Sequence, residues 1–261
     1  MSVWFGIIQG IVQGLTEFLP VSSSGHLAFL QNEFGINGES GDLFFNVLLH
    51  LGTLVSVVIY YRKDIWDILR NLTRRRIVPL IIVATLPLFV AVLVKDYVEV
   101  LYGSTLLIGI MWIVTGIMLI AGDAYTPREK SKDEANMKWS DAVVIGVVQA
   151  IAILPGLSRS GSTITAGTVR GLERKLAVRF SFLMSIPAIL GANILEIKDA
   201  AEAGIDSAQI PVYIAGLIAA AVSGYLAIRL IDWIAEKAKF KYFGVYCLVI
   251  GVTAIVLSIV R

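Results

Sequence analysis

Charge is scarce in this chain. Asp, Glu, Lys and Arg make up 16% of its 261 residues, against roughly 25% in a soluble domain. Mean hydropathy is +0.79. This excludes an ordinary soluble domain and predicts an all-α, polytopic membrane protein. Cysteine is confined to Cys247, which rules out an intrachain disulfide framework and a Cys-rich metal site. Within its apolar run it reads as a small packed hydrophobe. His26 and His50 are the only histidines, and with scattered acids they make no convincing zinc site. A net charge of +2 is too small to argue for nucleic acid as a partner. The start of the chain lacks a basic segment and contains Glu17, so no cleavable signal sequence is expected.

What is abundant is apolar sequence. Runs long enough to cross about 30 Å of hydrocarbon are Leu43–Tyr61, Ile77–Val94, Thr105–Ala121, Leu176–Ile197, Ile210–Trp233 and Phe243–Val260. Pro79, Pro87 and Pro187 fall inside spans and are expected to kink them. Trp4, Trp66, Trp112, Trp139 and Trp233 are expected mostly as interface anchors. The small residues of Ala215–Ala221 are expected to permit close helix packing. Asp64–Asn71 reads as a short interfacial helix.

Two further apolar segments, Val3–Phe34 and Trp139–Arg170, are broken by polar loops and read as re-entrant helical hairpins. Lipid tolerates broken helices only where they are buried in protein or line a wet cavity. Paired breaks in corresponding positions point to a binding site near the bilayer midplane.

Lys and Arg cluster around residues 62–76, 128–138, 170–179 and 229–241, which places these connections in the cytoplasm. The first hairpin then opens to the outside and the second to the inside. Gly6-Ile7-Ile8-Gln9-Gly10 resembles Gly146-Val147-Val148-Gln149-Ala150, Pro20 to Ser23 matches the spacing of Pro155 to Ser158, and Phe45–His50 parallels Phe180–Ser185. Together these predict an inverted-topology repeat, each half one hairpin plus three transmembrane helices. The expectation is one integral membrane domain, with halves at about 1–122 and 139–261 joined by a charged cytoplasmic loop, 123–138.

The loops carry the chemistry. Ser22, Ser23 and Ser24, and Ser158 and Ser160, sit near helix N-caps, where their oxygens can bind orphan amides. A helix N-terminus also suits phosphate, and Gly25, Gly156 and Gly161 allow close backbone approach. Arg159 is the most specific residue. A charge in mid-membrane costs about 2.5–3.5 kcal/mol, and its planar fork can hold phosphate oxygens. A structural ion pair with Glu17 is the compatible alternative. Glu17 can serve as general base, cation ligand or counter-charge to Arg159. Gln13 lies four residues earlier on the same helical face and can orient a phosphate or a water. His26 can cap, pack, or act as nucleophile, base or acid. His50, four residues after Asn46, reads as a buried hydrogen-bonding group.

Gln13-Gly14-Leu15-Thr16-Glu17-Phe18-Leu19-Pro20-Val21-Ser22-Ser23-Ser24-Gly25-His26 and Pro155-Gly156-Leu157-Ser158-Arg159-Ser160-Gly161-Ser162-Thr163 resemble the two motifs of the undecaprenyl-diphosphatase (BacA/UppP) family. The resemblance covers essentially the whole chain. It implies a plasma-membrane phosphatase that hydrolyses undecaprenyl diphosphate to the monophosphate carrier lipid and inorganic phosphate. That reaction recycles the carrier for envelope polymers and confers bacitracin resistance. By motif position, Glu17, Ser23, His26 and Arg159 are the catalytic set. Gln13, Ser22, Ser24, Gly25, Ser158, Ser160, Gly161 and Thr163 surround the phosphates.

The resemblance also implies a homodimer, an active site facing outside, and assistance by Mg²⁺ or Ca²⁺. Many members carry Glu where this chain has Gln13, which leaves Glu17 as the one plausible protein ligand for a metal. A lipid-phosphate flippase or anion transporter on the same frame is the alternative, because paired broken helices also describe transporters.

Overall fold

The computed structural model describes residues 2–34, 43–72, 74–125, 131–203, 206–237 and 240–260. These form helices and their connections, with one isolated parallel bridge between Lys132 and Leu172. The first broken segment is α1 (Val3–Phe18) and α2 (Ser23–Phe34); the second is α9 (Trp139–Ile151) and α10 (Arg159–Val169). The 16 residues of α1 and the 13 of α9 rise only about 24 and 20 Å, short of the hydrocarbon thickness. Each first arm therefore needs protein around its inner end.

The first hairpin is followed by α3 (Leu43–Tyr60), α4 (Arg62–Arg70), α5 (Ile77–Thr85), α6 (Leu88–Leu93), α7 (Lys95–Leu101) and α8 (Thr105–Tyr125). The second is followed by α11 (Arg174–Ala203), α12 (Ile210–Lys237) and α13 (Lys241–Val260). Among the described residues, four helices are long and apolar enough to cross a membrane, or up to six spans if two bent pairs each count as one. The chain is an all-α, multi-pass membrane protein.

The bends refine the expected spans. The chain turns by 75° between α3 and the amphipathic α4, in keeping with the interfacial helix expected at Asp64–Asn71, and by 74° entering α7, a bend the sequence did not signal. Pro87 separates α5 from α6, since it has no N–H to continue the ladder. Pro79 does not kink its helix; it lies in the first turn of α5, where the amides have no intrahelical partner. Pro187 lies inside the continuous α11.

Helices far apart in the chain pack together across the molecule. Helix α3 packs on α11 and α8 on α13, while α1 packs on α12 as α9 packs on α5 and α6. The α8–α13 contact is reciprocal: a Cβ on Gly116 would lie 2.7 Å from the Gly244 carbonyl, and one on Gly244 2.8 Å from the Gly116 carbonyl. On α1, a Cβ at Gly6 would lie 2.7 Å from the Val212 carbonyl and one at Gly14 2.5 Å from that of Ala220. Small residues thus bring backbones together where lipid supplies no hydrophobic drive.

The basic connections converge. Arg76 donates to the Met137 carbonyl at 3.0 Å. Arg179 pairs with Asp64 at 2.6 Å and Glu134 at 3.0 Å. The fully buried Asp141 at the head of α9 holds Lys132 at 2.8 Å and Arg170 at 2.9 Å. Its two cations balance a charge that could not stay buried unpaired. Arg128, Glu129 and Lys130, expected in the solvated connection, lie outside the described residues.

Candidate active site

Both polar loops are tied into the protein through α8. The Trp112 indole N–H donates to the Val21 carbonyl of the first loop at 2.9 Å. The Thr115 hydroxyl donates to the Gly156 carbonyl of the second and accepts from the Ser158 amide, both at 3.1 Å. Backbone groups freed by the breaks thereby find partners away from water. Trp112 is fully buried, so it is a structural donor rather than an interface anchor. The loops meet where Gly25 faces Gly156: a Cβ on Gly25 would lie 2.8 Å from the Gly156 Cα. Gly156 has φ +93°, a conformation that glycine adopts at no steric penalty. Ser22 holds φ +71°, which costs about 1–2 kcal/mol in a residue with a Cβ.

Helices α2 and α10 begin alike. The Ser22 hydroxyl accepts from the Gly25 amide at 3.2 Å, and that of Ser158 from the Gly161 amide at 3.1 Å. Capping therefore matches Ser22 with Ser158 and Ser23 with Arg159, one residue away from the register that proline spacing suggested. The amides heading both helices precede the first intrahelical bond. They border a cavity of about 40 Å³ lined by Thr16, Glu17, Ser22, Ser23, Ser24, Ala152, Leu157, Ser158 and Arg159. That is room for two or three waters.

Glu17 is the hub. Its Oε1 accepts from Arg159 Nη2 at 2.6 Å. Its Oε2 accepts from the Ser23 hydroxyl at 2.6 Å and from Gln13 Nε2 at 3.2 Å. Arg159 also reaches the Ser181 carbonyl at 3.5 Å. Gln13 Nε2 lies 3.1 Å from His50 Nδ1, so His50 stands behind the site, whereas Asn46 is exposed. A hydroxyl donating to a carboxylate, with a guanidinium beside both, can attack an electrophilic phosphorus and deliver its proton locally.

His26 is arranged differently. Its Nδ1 lies 2.7 Å from the Ser22 carbonyl and its Nε2 2.8 Å from the Tyr246 hydroxyl of α13. Its ring packs edge-on against Trp112, with centroids 5.0 Å apart. It does not line the cavity and makes no bond to Ser23 or Glu17.

Three other expected phosphate neighbours face elsewhere. The Ser160 hydroxyl donates to the Leu19 carbonyl at 3.2 Å, joining the hairpins. Thr163 bonds the Ser181 hydroxyl at 2.6 Å and its own helix's carbonyls. Gly161 packs toward Pro20, where a Cβ would lie at 3.1 Å. Cys247 is buried as expected, with its sulfur 3.7 Å from the Pro20 carbonyl. Tyr246, Thr115 and Ser181 carried no local sequence signal. Only the parallel between Phe45–His50 and Phe180–Ser185 marked the stretch containing Ser181.

Residues 6–253 match the model of the family described as bacitracin resistance protein BacA. The chain belongs to the BacA family. Similar proteins named undecaprenyl-diphosphatase include that of Alkaliphilus metalliredigens, 42% identical over 277 residues, covering 99% of this chain and 100% of the relative. That of Halothermothrix orenii is 40% identical over 260 residues, with 99% of both chains covered. That of Bacteroides fragilis (strain YCH46) is 44% identical over 270 residues, with 98% of both covered. This BacA chain thus spans its relatives end to end, both polar loops included.

Proposed function

We infer that this chain hydrolyses undecaprenyl diphosphate to undecaprenyl phosphate and inorganic phosphate. The observation that carries the mechanism is the Ser23–Glu17–Arg159 chain of 2.6 Å bonds between two helix N-termini. Arg159 and the leading amides of α2 and α10 bind the terminal phosphate. Ser23 Oγ attacks its phosphorus as the hydroxyl proton passes to Glu17 Oε2. The P–O bond to the lipid phosphate breaks, and the monophosphate lipid leaves. Water then attacks the phosphoserine. The P–Oγ bond breaks, Ser23 recovers the proton that Glu17 held, and the water's oxygen leaves in inorganic phosphate, its surplus proton released to solvent, so that Glu17 ends ionised again.

A divalent cation, Mg²⁺ or Ca²⁺, belongs to this proposal through the resemblance. Gln13 Oε1 is buried with no hydrogen-bond partner among the described residues, beside the carboxylate that Gln13 Nε2 contacts. Glu17 and Gln13 would hold the ion, with phosphate oxygens and water completing its shell. When bound, it would neutralise diphosphate charge.

The remaining assignments follow the same reading. The protein is a plasma-membrane homodimer, each chain built of two similar halves, with its site opening outward. Convergence of residues 62–76, 131–141 and 170–179 into one ion-paired face supports a common cytoplasmic side for these connections. Phosphate release from a polyprenyl diphosphate by the purified protein in detergent is expected to fall by orders of magnitude in Arg159→Ala. Near-normal turnover in that variant would overturn the assignment.

A further inference from the structure

The hydrogen bonds of His26 limit what it can do. The Ser22 carbonyl can only accept, so Nδ1 at 2.7 Å carries the proton. In the neutral ring Nε2 is then the bare nitrogen, and it meets the Tyr246 hydroxyl at 2.8 Å. The planes of the two rings are parallel to within 2°, with centroids 5.8 Å apart. Trp112 packs edge-on against the imidazole. No lone pair of His26 is left for the Ser23 hydroxyl, whose proton is already directed at Glu17.

We propose that Tyr246 is a positioning residue for the hydrolysis. It fixes the tautomer and direction of His26, whose Nδ1–H in turn holds the Ser22 carbonyl and with it the turn that presents Ser23. A tyrosine suits the task because its hydroxyl can turn. It donates to Nε2 when the imidazole is neutral and accepts from Nε2–H when the ring is protonated. His26 can therefore gain and lose a proton at Nε2 with a partner in both states and no movement of backbone. Tyr246 comes from α13, whereas His26 heads α2. The bond thus ties the helix that ends the second half to the reactive loop of the first, and α13 is itself seated on α8 through the Gly116–Gly244 contact.

This inference rests on the phosphatase reading, and the experiment separates the two. Phosphate release is measured for the wild type, Tyr246→Phe, His26→Gln and the double variant. Phenylalanine keeps the ring and removes only the hydroxyl. Wild-type protein that releases no phosphate would refute the phosphatase reading itself. With an active wild type, Tyr246→Phe is expected to lower kcat about tenfold, the scale of one ordinary hydrogen bond. KM should stay unchanged, and the thermal midpoint should fall by only a few degrees, the scale of one lost hydrogen bond. In the His26→Gln background the same substitution should change kcat by no more than about twofold. In ¹⁵N-histidine-labelled protein, the His26 resonances, assigned by their loss in His26→Gln, should show a protonated Nδ1 and a bare Nε2, with only the Nε2 signal displaced in Tyr246→Phe. A wild-type kcat in Tyr246→Phe, an equal effect with and without His26, or an unmoved Nε2 resonance would each overturn the proposal.

Discussion

Replacing Glu17 by Gln keeps the shape of the side chain and removes its charge, which separates the structural from the chemical role of this carboxylate. The Glu17 side chain is 8% exposed and that of Arg159 17%, so solvent screens the 2.6 Å pair little. Breaking a buried pair by removing one partner costs about 3–5 kcal/mol, because the other charge remains uncompensated. Glu17→Gln should therefore lower the thermal midpoint in detergent by on the order of 10 °C. Arg159→Met should do the same, leaving the carboxylate unpaired. The double variant strands no charge and should be more stable than the sum of the singles implies, with a coupling of about 1–3 kcal/mol. Activity should behave otherwise. Glu17→Gln removes the acceptor for the Ser23 proton, a loss of about 10²–10⁴-fold in turnover, and the double variant should recover none of it. Differential scanning fluorimetry and phosphate release on the same four preparations supply both readings. Additive destabilisation, or turnover within tenfold of wild type in Glu17→Gln, would refute the reasoning.

Other perturbations test separate parts of the structure. Trp112→Phe strands the Val21 carbonyl and should cost about 1–3 kcal/mol of stability, visible in thermal unfolding, with a fall in kcat as the Ser22–His26 loop loosens. Gly116→Val places carbon against the Gly244 backbone and should destabilise by about 1–3 kcal/mol through overpacking, whereas Val245→Ala on the exposed face of α13 should shift the midpoint little. Gln13→Glu adds a second carboxylate beside Glu17. It should lower the Mg²⁺ concentration that gives half-maximal activity, and an unchanged titration would argue against a cation at this position.

Much of the site was legible because hydrocarbon is an unforgiving solvent for polar groups. Two serine- and glycine-rich breaks and one mid-membrane arginine are costly there, so their presence pointed to a shared polar centre. The Glu17–Arg159 pair followed from that logic. So did the capping by Ser22 and Ser158, although the capping oxygens, which decide where a helix starts, set a register that proline spacing missed by one residue.

Tyr246, Trp112 and Thr115 were not legible. In a transmembrane run an aromatic or a threonine looks the same whether it faces lipid or reaches a loop carbonyl, and only the packing of α8 and α13 against the hairpins distinguishes the two. His26 shows the same limit from the other side. Its place beside Ser23 suggested reach to Glu17, but the turn at Ser22 aims its ring at α13. Thr163 and Ser160 carry motif positions yet spend their hydroxyls on Ser181 and Leu19, holding α10 in place.

Phosphate release from undecaprenyl diphosphate by purified Ser23→Ala protein tests the central claim most directly. The substitution removes one oxygen and leaves Glu17 paired with Arg159 and Gln13, so the protein should fold with a thermal midpoint only a few degrees lower while release falls to the level of protein-free detergent. Release at a rate near that of the wild type would contradict the account.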